Sequence, residues 1–123
     1  MLYTTEFDHW REGGVDVQVT VDRADETWRG QVAVVPQLFY RTQMDYKRAL
    51  VLTCGPEIMM RFVIYEALAR RVPKQNIYIS MERNMKCAIG FCGHCQFGPN
   101  FICKQGPVMN FAAAEQFFGK EDF

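Results

Sequence analysis

The chain has 123 residues, 49% of them hydrophobic, and its 14 Lys and Arg balance 14 Asp and Glu. That length is one domain or part of one, with enough apolar content for a packed core, which excludes a disordered chain. The balanced charge leaves no general basic field for nucleic acid, and no apolar run approaches membrane-spanning length, so neither nucleic-acid binding nor membrane insertion is expected.

In chain order, Val15, Val17, Val19 and Val21 alternate with Asp16, Gln18, Thr20 and Asp22, a period of two that predicts a strand with one buried and one wetter face. Residues 30–40 look helical but contain Pro36, which predicts a short or broken helix. Residues 49–53 form an unbroken apolar run ending in Cys54-Gly55-Pro56, as expected for a strand buried on both faces of a parallel sheet. A helix follows: Pro56 suits its first turn, Glu57 complements its N-terminal dipole, and residues 58–72 are apolar around most of the circumference before Pro73. Residues 76–80 alternate again as a third strand. Strand, helix, strand, helix, strand argues for right-handed parallel crossovers and so for an α/β layer structure. Cys54-Gly55-Pro56 would then lie beyond a strand's carboxyl end, where open parallel sheets bind ligands. By spacing alone Cys54 reads as a small buried strand-end residue. No Gly-rich phosphate loop precedes any strand.

The densest chemistry is Cys87-Ala-Ile-Gly-Phe-Cys92-Gly-His-Cys95-Gln-Phe-Gly-Pro-Asn-Phe-Ile-Cys103. Its C-x4-C-x2-C opening is the plant-type spacing for a [2Fe–2S] cluster, whose fourth ligand comes from further on, here Cys103. Gly90, Gly93 and Gly98 allow a backbone that turns through positive φ and brings N–H groups near sulfur. Tetrahedral zinc also takes four thiolates, but its structural sites usually pair two C-x2-C-like knuckles, and this chain has one. Disulfides are the weaker alternative, since the opening Met1-Leu2-Tyr3-Thr4-Thr5-Glu6 carries no secretory pattern; a cytoplasmic location is expected. Arg83, Lys86, His94 and Lys104 lie in or beside the loop, and cations there would favour the reduced form of an anionic cluster. Each of them taken singly reads better as ordinary surface charge.

Cys54-Gly-Pro-Glu-Ile-Met59, then Ser80-Met-Glu-Arg-Asn-Met-Lys-Cys87 running into the cysteine loop and Lys104-Gln-Gly-Pro-Val108, together resemble the C-terminal part of FAD/NAD(P)-binding electron-transfer subunits related to ferredoxin reductases. Dihydroorotate dehydrogenase electron-transfer subunits, sulfhydrogenase gamma subunits and one of the subunits of anaerobic sulfite reductase belong to that group. The resemblance implies a partial Rossmann-like parallel sheet over residues 1–82, a small irregular iron–sulfur lobe over 83–107 and a tail over 108–123. That tail is expected to be helical and to act as a docking helix or to pack on its own domain. It implies that Cys87, Cys92, Cys95 and Cys103 bind [2Fe–2S], and that Cys54, Gly55 and Pro56 line the place where nicotinamide meets flavin.

The family's flavin barrel and Gly-rich strand-turn-helix have no counterpart here, and residues 3–10 look like the stretch after the nucleotide domain's second strand. The chain is therefore expected to begin in mid-domain and to lack the flavin site. The resemblance implies an electron-transfer module of an NAD(P)H/FAD-linked oxidoreductase, not catalytic alone, that works with a redox partner subunit or with the missing flavin-binding half. NAD(P) and FAD are cofactors of the complete enzyme. The alternative is a non-redox zinc-binding assembly module. In the family's sheet order the valine strand and the 49–53 strand would flank absent strands, so they are expected either to become adjacent or to require a second polypeptide.

Overall fold

In the computed structural model, which describes residues 1–120, the apolar run after residue 48 becomes strand β3 (Val51–Cys54). Pro56, in an extended conformation, then caps helix α2 (Glu57–Ala69). Met60, Val63, Ile64 and Ala67 recur at i, i+3, i+4 and i+7, and this stripe is the buried one. It packs on β3, whose Thr53 is buried on the same side as Ile77 and Ile79 of strand β4 (Ile77–Ser80). β3 and β4 pair in parallel, with Thr53 opposite Ile79.

Helix α2 ends before Pro73. Arg70 is its C-cap, and Arg71 turns left-handed at φ 67°. The Arg71 N–H bonds the Leu68 carbonyl at 2.9 Å and the Val72 N–H bonds that of Ala67 at 3.0 Å. This is a Schellman closure that buries Val72.

The chain forms two compact units, Met1–Thr42 and a second beginning at Gln43. The sheet of the second unit has the order β3-β4-β7, where β7 (Val108–Asn110) joins antiparallel to β4. It therefore crosses both functional boundaries expected at 82/83 and 107/108. The expected helical tail starts as this strand; only Phe111–Ala114 is helical (α4), capped by the Asn110 side chain, which accepts from the Ala112 N–H at 3.0 Å. Phe111 and Ala114 are buried, so this turn packs on its own unit. Residues 121–123 of the expected tail lie outside the described residues.

Two expectations are corrected. β3 is not covered on both faces: Leu50 is 62% and Leu52 72% exposed, because α2 covers one face and nothing described covers the other. β3 also pairs with β4 alone, so it is an edge strand with open backbone groups. In the first unit, helix α1 (Phe7–Glu12) is followed by the valine stretch, of which only Thr20–Val21 (β1) enters a ladder, parallel to Gln31–Val32 (β2). The alternation describes a face, but a ladder extends only as far as its partner, and β2 offers two residues. The segment with Pro36 is a 3-10 helix over Val35–Arg41, with the proline near its start.

A left-handed arginine is strained relative to glycine. Arg71→Gly should raise stability by about 0.5–1 kcal/mol, read as a higher thermal midpoint; an unchanged or lower midpoint would contradict the closure described above.

Candidate metal centre

The chain leaves β4 through buried Met81 and enters the cysteine loop at Arg83. At the far end of the loop a hairpin of β5 (Gln96–Phe97) and β6 (Asn100–Phe101) runs into the single turn α3 (Ile102–Gln105). The Phe97 side chain is 1% exposed and meets Phe117 edge-on at 6.3 Å, and the Arg83 guanidinium lies 5.2 Å above its ring. Gly98 turns the hairpin at φ 56°, and a Cβ there would lie 2.5 Å from the Phe117 ring, so only glycine fits. The hairpin places Cys95 before its first strand and Cys103 after its second. The Ile102 N–H bonds the Cys95 carbonyl at 3.0 Å and the Cys103 N–H donates to Cys95 Sγ at 3.4 Å.

Cys87 is held differently. Ala88 at φ 60° and Gly90 at φ 78° curl the backbone around its sulfur. Cys87 Sγ accepts N–H groups from Ile89 at 3.5 Å, Phe91 at 3.3 Å and Cys92 at 3.4 Å. Those donors, led by Ile89, lower the Cys87 thiol to about 6, so it is a thiolate at neutral pH. The Cys92 side chain adds a further hydrogen bond to it. Cys95 is also lowered, chiefly by the Cys103 N–H, whereas burial and then the Cys95 side chain push Cys103 up.

The four thiols thus stand as two neighbouring pairs, Cys87 with Cys92 and Cys95 with Cys103, and Cys103 senses the charge of both Cys95 and Cys87. Among the described residues no three His, Cys, Asp or Glu side chains gather as the ligands of one ion. Two thiol pairs with sulfur-directed N–H donors fit a centre of two bridged irons, each taking one pair, better than a single tetrahedral ion.

The second expected site is only partly assembled. A cleft of about 400 Å³ at the carboxyl ends of β3 and β4 is lined by Gly55, Pro56, Glu57, Met81, Glu82 and Arg83, among others. Gly55 and Pro56 belong to it; Cys54 is exposed, not buried, and lies outside the lining. Arg83 Nη2 lies 3.5 Å from Glu57 Oε2, so the residue that covers Phe97 also reaches the cleft. Sequence reasoning missed Glu82 and the cleft role of Glu57 and Arg83. The available signal was their place just past the ends of adjacent parallel strands.

A sheet whose β3–β4 pair is parallel, with a helix on one face and a cysteine-rich lobe past the strands' carboxyl ends, is of the α/β class. Residues 1–64 match the model of the family described as oxidoreductase NAD-binding domain, and residues 82–114 match the iron-sulfur cluster binding domain of dihydroorotate dehydrogenase B. The chain belongs to the oxidoreductase NAD-binding domain family and carries that iron–sulfur domain at its C-terminal side.

It is 40% identical over 82 residues to sulfhydrogenase 2 subunit gamma of Pyrococcus furiosus, covering 63% of this chain and 28% of the relative. It is 49% identical over 66 residues to a probable dihydroorotate dehydrogenase B (NAD(+)) electron transfer subunit of Methanocaldococcus jannaschii, covering 52% and 24%. The chain therefore spans less than a third of these relatives' length. A solved NADH-dependent reduced ferredoxin-NADP oxidoreductase shares the fold at a TM-score of 0.56 and 23% identity, covering 94% of this chain and 43% of that one.

In metal-free protein, iodoacetamide should alkylate Cys87 first. The folded thiol is lowered, so its reactive form persists down to about pH 6 and fades below, while Cys103 reacts only in alkaline solution. Mass-spectrometric mapping across pH checks this; a Cys87 midpoint near the ordinary thiol value of about 8.5 would contradict it.

Proposed function

We propose that Cys87, Cys92, Cys95 and Cys103 hold a [2Fe–2S] cluster and that the chain is the iron–sulfur electron-transfer module of an NAD(P)H/FAD-linked oxidoreductase. The observation that carries this reading is the pairing of four thiols, two of them supplied with backbone N–H donors, inside the segment that matches an iron–sulfur domain. When bound, such a cluster takes up and releases one electron at a time, so it would pass on singly the two electrons that the complete enzyme's flavin takes from a hydride donor.

The chain's own residues supply the rest. N–H groups of Ile89, Phe91 and Cys92 offset negative charge on the Cys87 sulfur, and the Cys103 N–H does so for Cys95. Lys86 and Lys104 add positive charge nearby and raise the potential. Burial of Cys95 keeps water from its side of the centre. Gly55 and Pro56 form the nicotinamide side of the cleft, and Cys54 stands at the strand end next to them, outside its lining; Gly55 at φ 145° brings bare backbone to its mouth. By function the chain divides into a dinucleotide portion (1–82), a cluster lobe (83–107) and a tail (108–123).

Partners follow from the same reading. The flavin-binding half of the enzyme, or a redox subunit, completes the electron path, and the open edge of β3, its exposed Leu52 and the exposed Leu50 just before it suit a further strand and its covering layer. No helix among the described residues is long and apolar enough to cross a membrane. A dinucleotide-linked electron-transfer module with four thiolate ligands suits a reducing compartment, and the cytoplasm is the location proposed.

Anaerobically reconstituted protein should contain about two irons and two acid-labile sulfides per chain. Changing any of the four loop cysteines to Ala should abolish both, and Cys54→Ala should leave the visible spectrum intact. Stoichiometric zinc without sulfide would overturn the assignment.

A further inference from the structure

The tip of the cysteine loop exposes apolar side chains: Phe91 is 86% exposed and Ile89 68%, with Met85 alongside them in the loop at 48%. Ile89 and Phe91 are also two of the three residues whose amides hold the Cys87 sulfur, so their side chains stand on the backbone that wraps a cluster ligand. The charge around them has one sign. From Arg83 to Ala114 there is no Asp or Glu, while Lys86 and Lys104 are exposed. The aliphatic stem of Lys104 crosses the loop at Gly90, where a Cβ would lie 2.9 Å from its Cγ and Cε, so its ammonium belongs to this tip. The nearest flanking acids beyond exposed Glu82 are engaged: Glu57 faces Arg83, and Glu115 takes Lys74 at 2.7 Å. An exposed apolar patch rimmed by charge of one sign is the form of a protein contact.

We propose that the loop tip around Ile89 and Phe91 is the docking surface for a redox protein that presents an apolar patch within a rim of Asp and Glu. This rests on the iron–sulfur reading above. One electron leaves the reduced centre, which returns to its oxidised state, and reduces the partner's oxidised one-electron centre; no proton or group is transferred. The cationic rim steers the acidic partner, and the apolar tip gives a short-lived contact directly over Cys87. A second copy of this chain is a poor occupant, because two cationic tips repel.

The test uses the full chain loaded with its cluster and reduced beforehand with a stoichiometric amount of dithionite, an acidic plant-type ferredoxin as protein acceptor and benzoquinone as a small neutral one, both followed by stopped flow. Lys86→Glu with Lys104→Glu should lower the ratio of ferredoxin rate to quinone rate about tenfold at low salt and reverse the ionic-strength dependence of the ferredoxin rate, the quinone rate carrying any change in the cluster's own potential. Phe91→Ser, which keeps its amide, should lower the ratio of ferredoxin rate to quinone rate. Carbodiimide coupling should join Lys86 or Lys104 to ferredoxin carboxylates in the wild-type chain. Unchanged ratios, coupling at other lysines, or binding to phosphatidylserine vesicles without coupling to ferredoxin would overturn the docking surface. Absence of iron and sulfide from the loaded wild-type chain would show before any partner is added that the iron–sulfur reading has failed, and the docking surface with it.

Discussion

The burial of Phe97 is the constraint on which the cysteine-rich lobe depends. The lobe has little regular structure, and its two-residue strands β5 and β6 could not hold a hairpin by ladder hydrogen bonds alone. Phe97 supplies the missing anchor: fully burying such a ring contributes about 2–3 kcal/mol. The Arg83–Glu57 pair, partly exposed at 25% and 35%, contributes at most about 1 kcal/mol, so it follows the fold more than it makes it. With Phe97 seated against Phe117, both ends of the hairpin are fixed, and Cys95 and Cys103 are fixed with them.

The other two cysteines obey a different rule. Cys87 and Cys92 lie on a stretch with no packed side chain to hold it, and Ile89 and Phe91 face solvent. What orders this half of the site is the curl of backbone N–H groups around one sulfur, which is strongest when that sulfur is anionic. One pair is thus set by the core and the other by charge. Arg83 connects the lobe to the dinucleotide side, since it covers Phe97 with one face and reaches Glu57 at the cleft. The path from the strand ends to the cysteines is therefore a short run of contacts within one unit.

Much of this was legible in the residues themselves. The unbroken run at 49–53, the apolar stretch at 58–72 between Pro56 and Pro73 and the alternation at 76–80 each name an element, because each carries its own local signal. The valine stretch was over-read: alternation specifies a face, while ladder length is decided by β2, far along the chain. β7 went unseen because three residues carry no period, and its strand character comes from lying beside β4. Leu50 and Leu52 look buried in sequence because apolar residues usually are; their exposure reflects a face that these residues do not cover. At the site, Cys spacing marked the four thiols that the fold sets as two pairs, and Gly90 and Gly98 announced turns. The donors to Cys87 were hidden, because they depend on Ala88, a non-glycine residue, taking a left-handed conformation.

The central claim is that two thiol pairs, one fixed by packing and one by N–H donors, make a ligand set for two bridged irons. Iron K-edge X-ray absorption of the anaerobically loaded chain tests it most directly. The account predicts a first shell of sulfur alone together with scattering from a neighbouring iron. A single metal with four sulfur neighbours and no metal–metal scattering would contradict it.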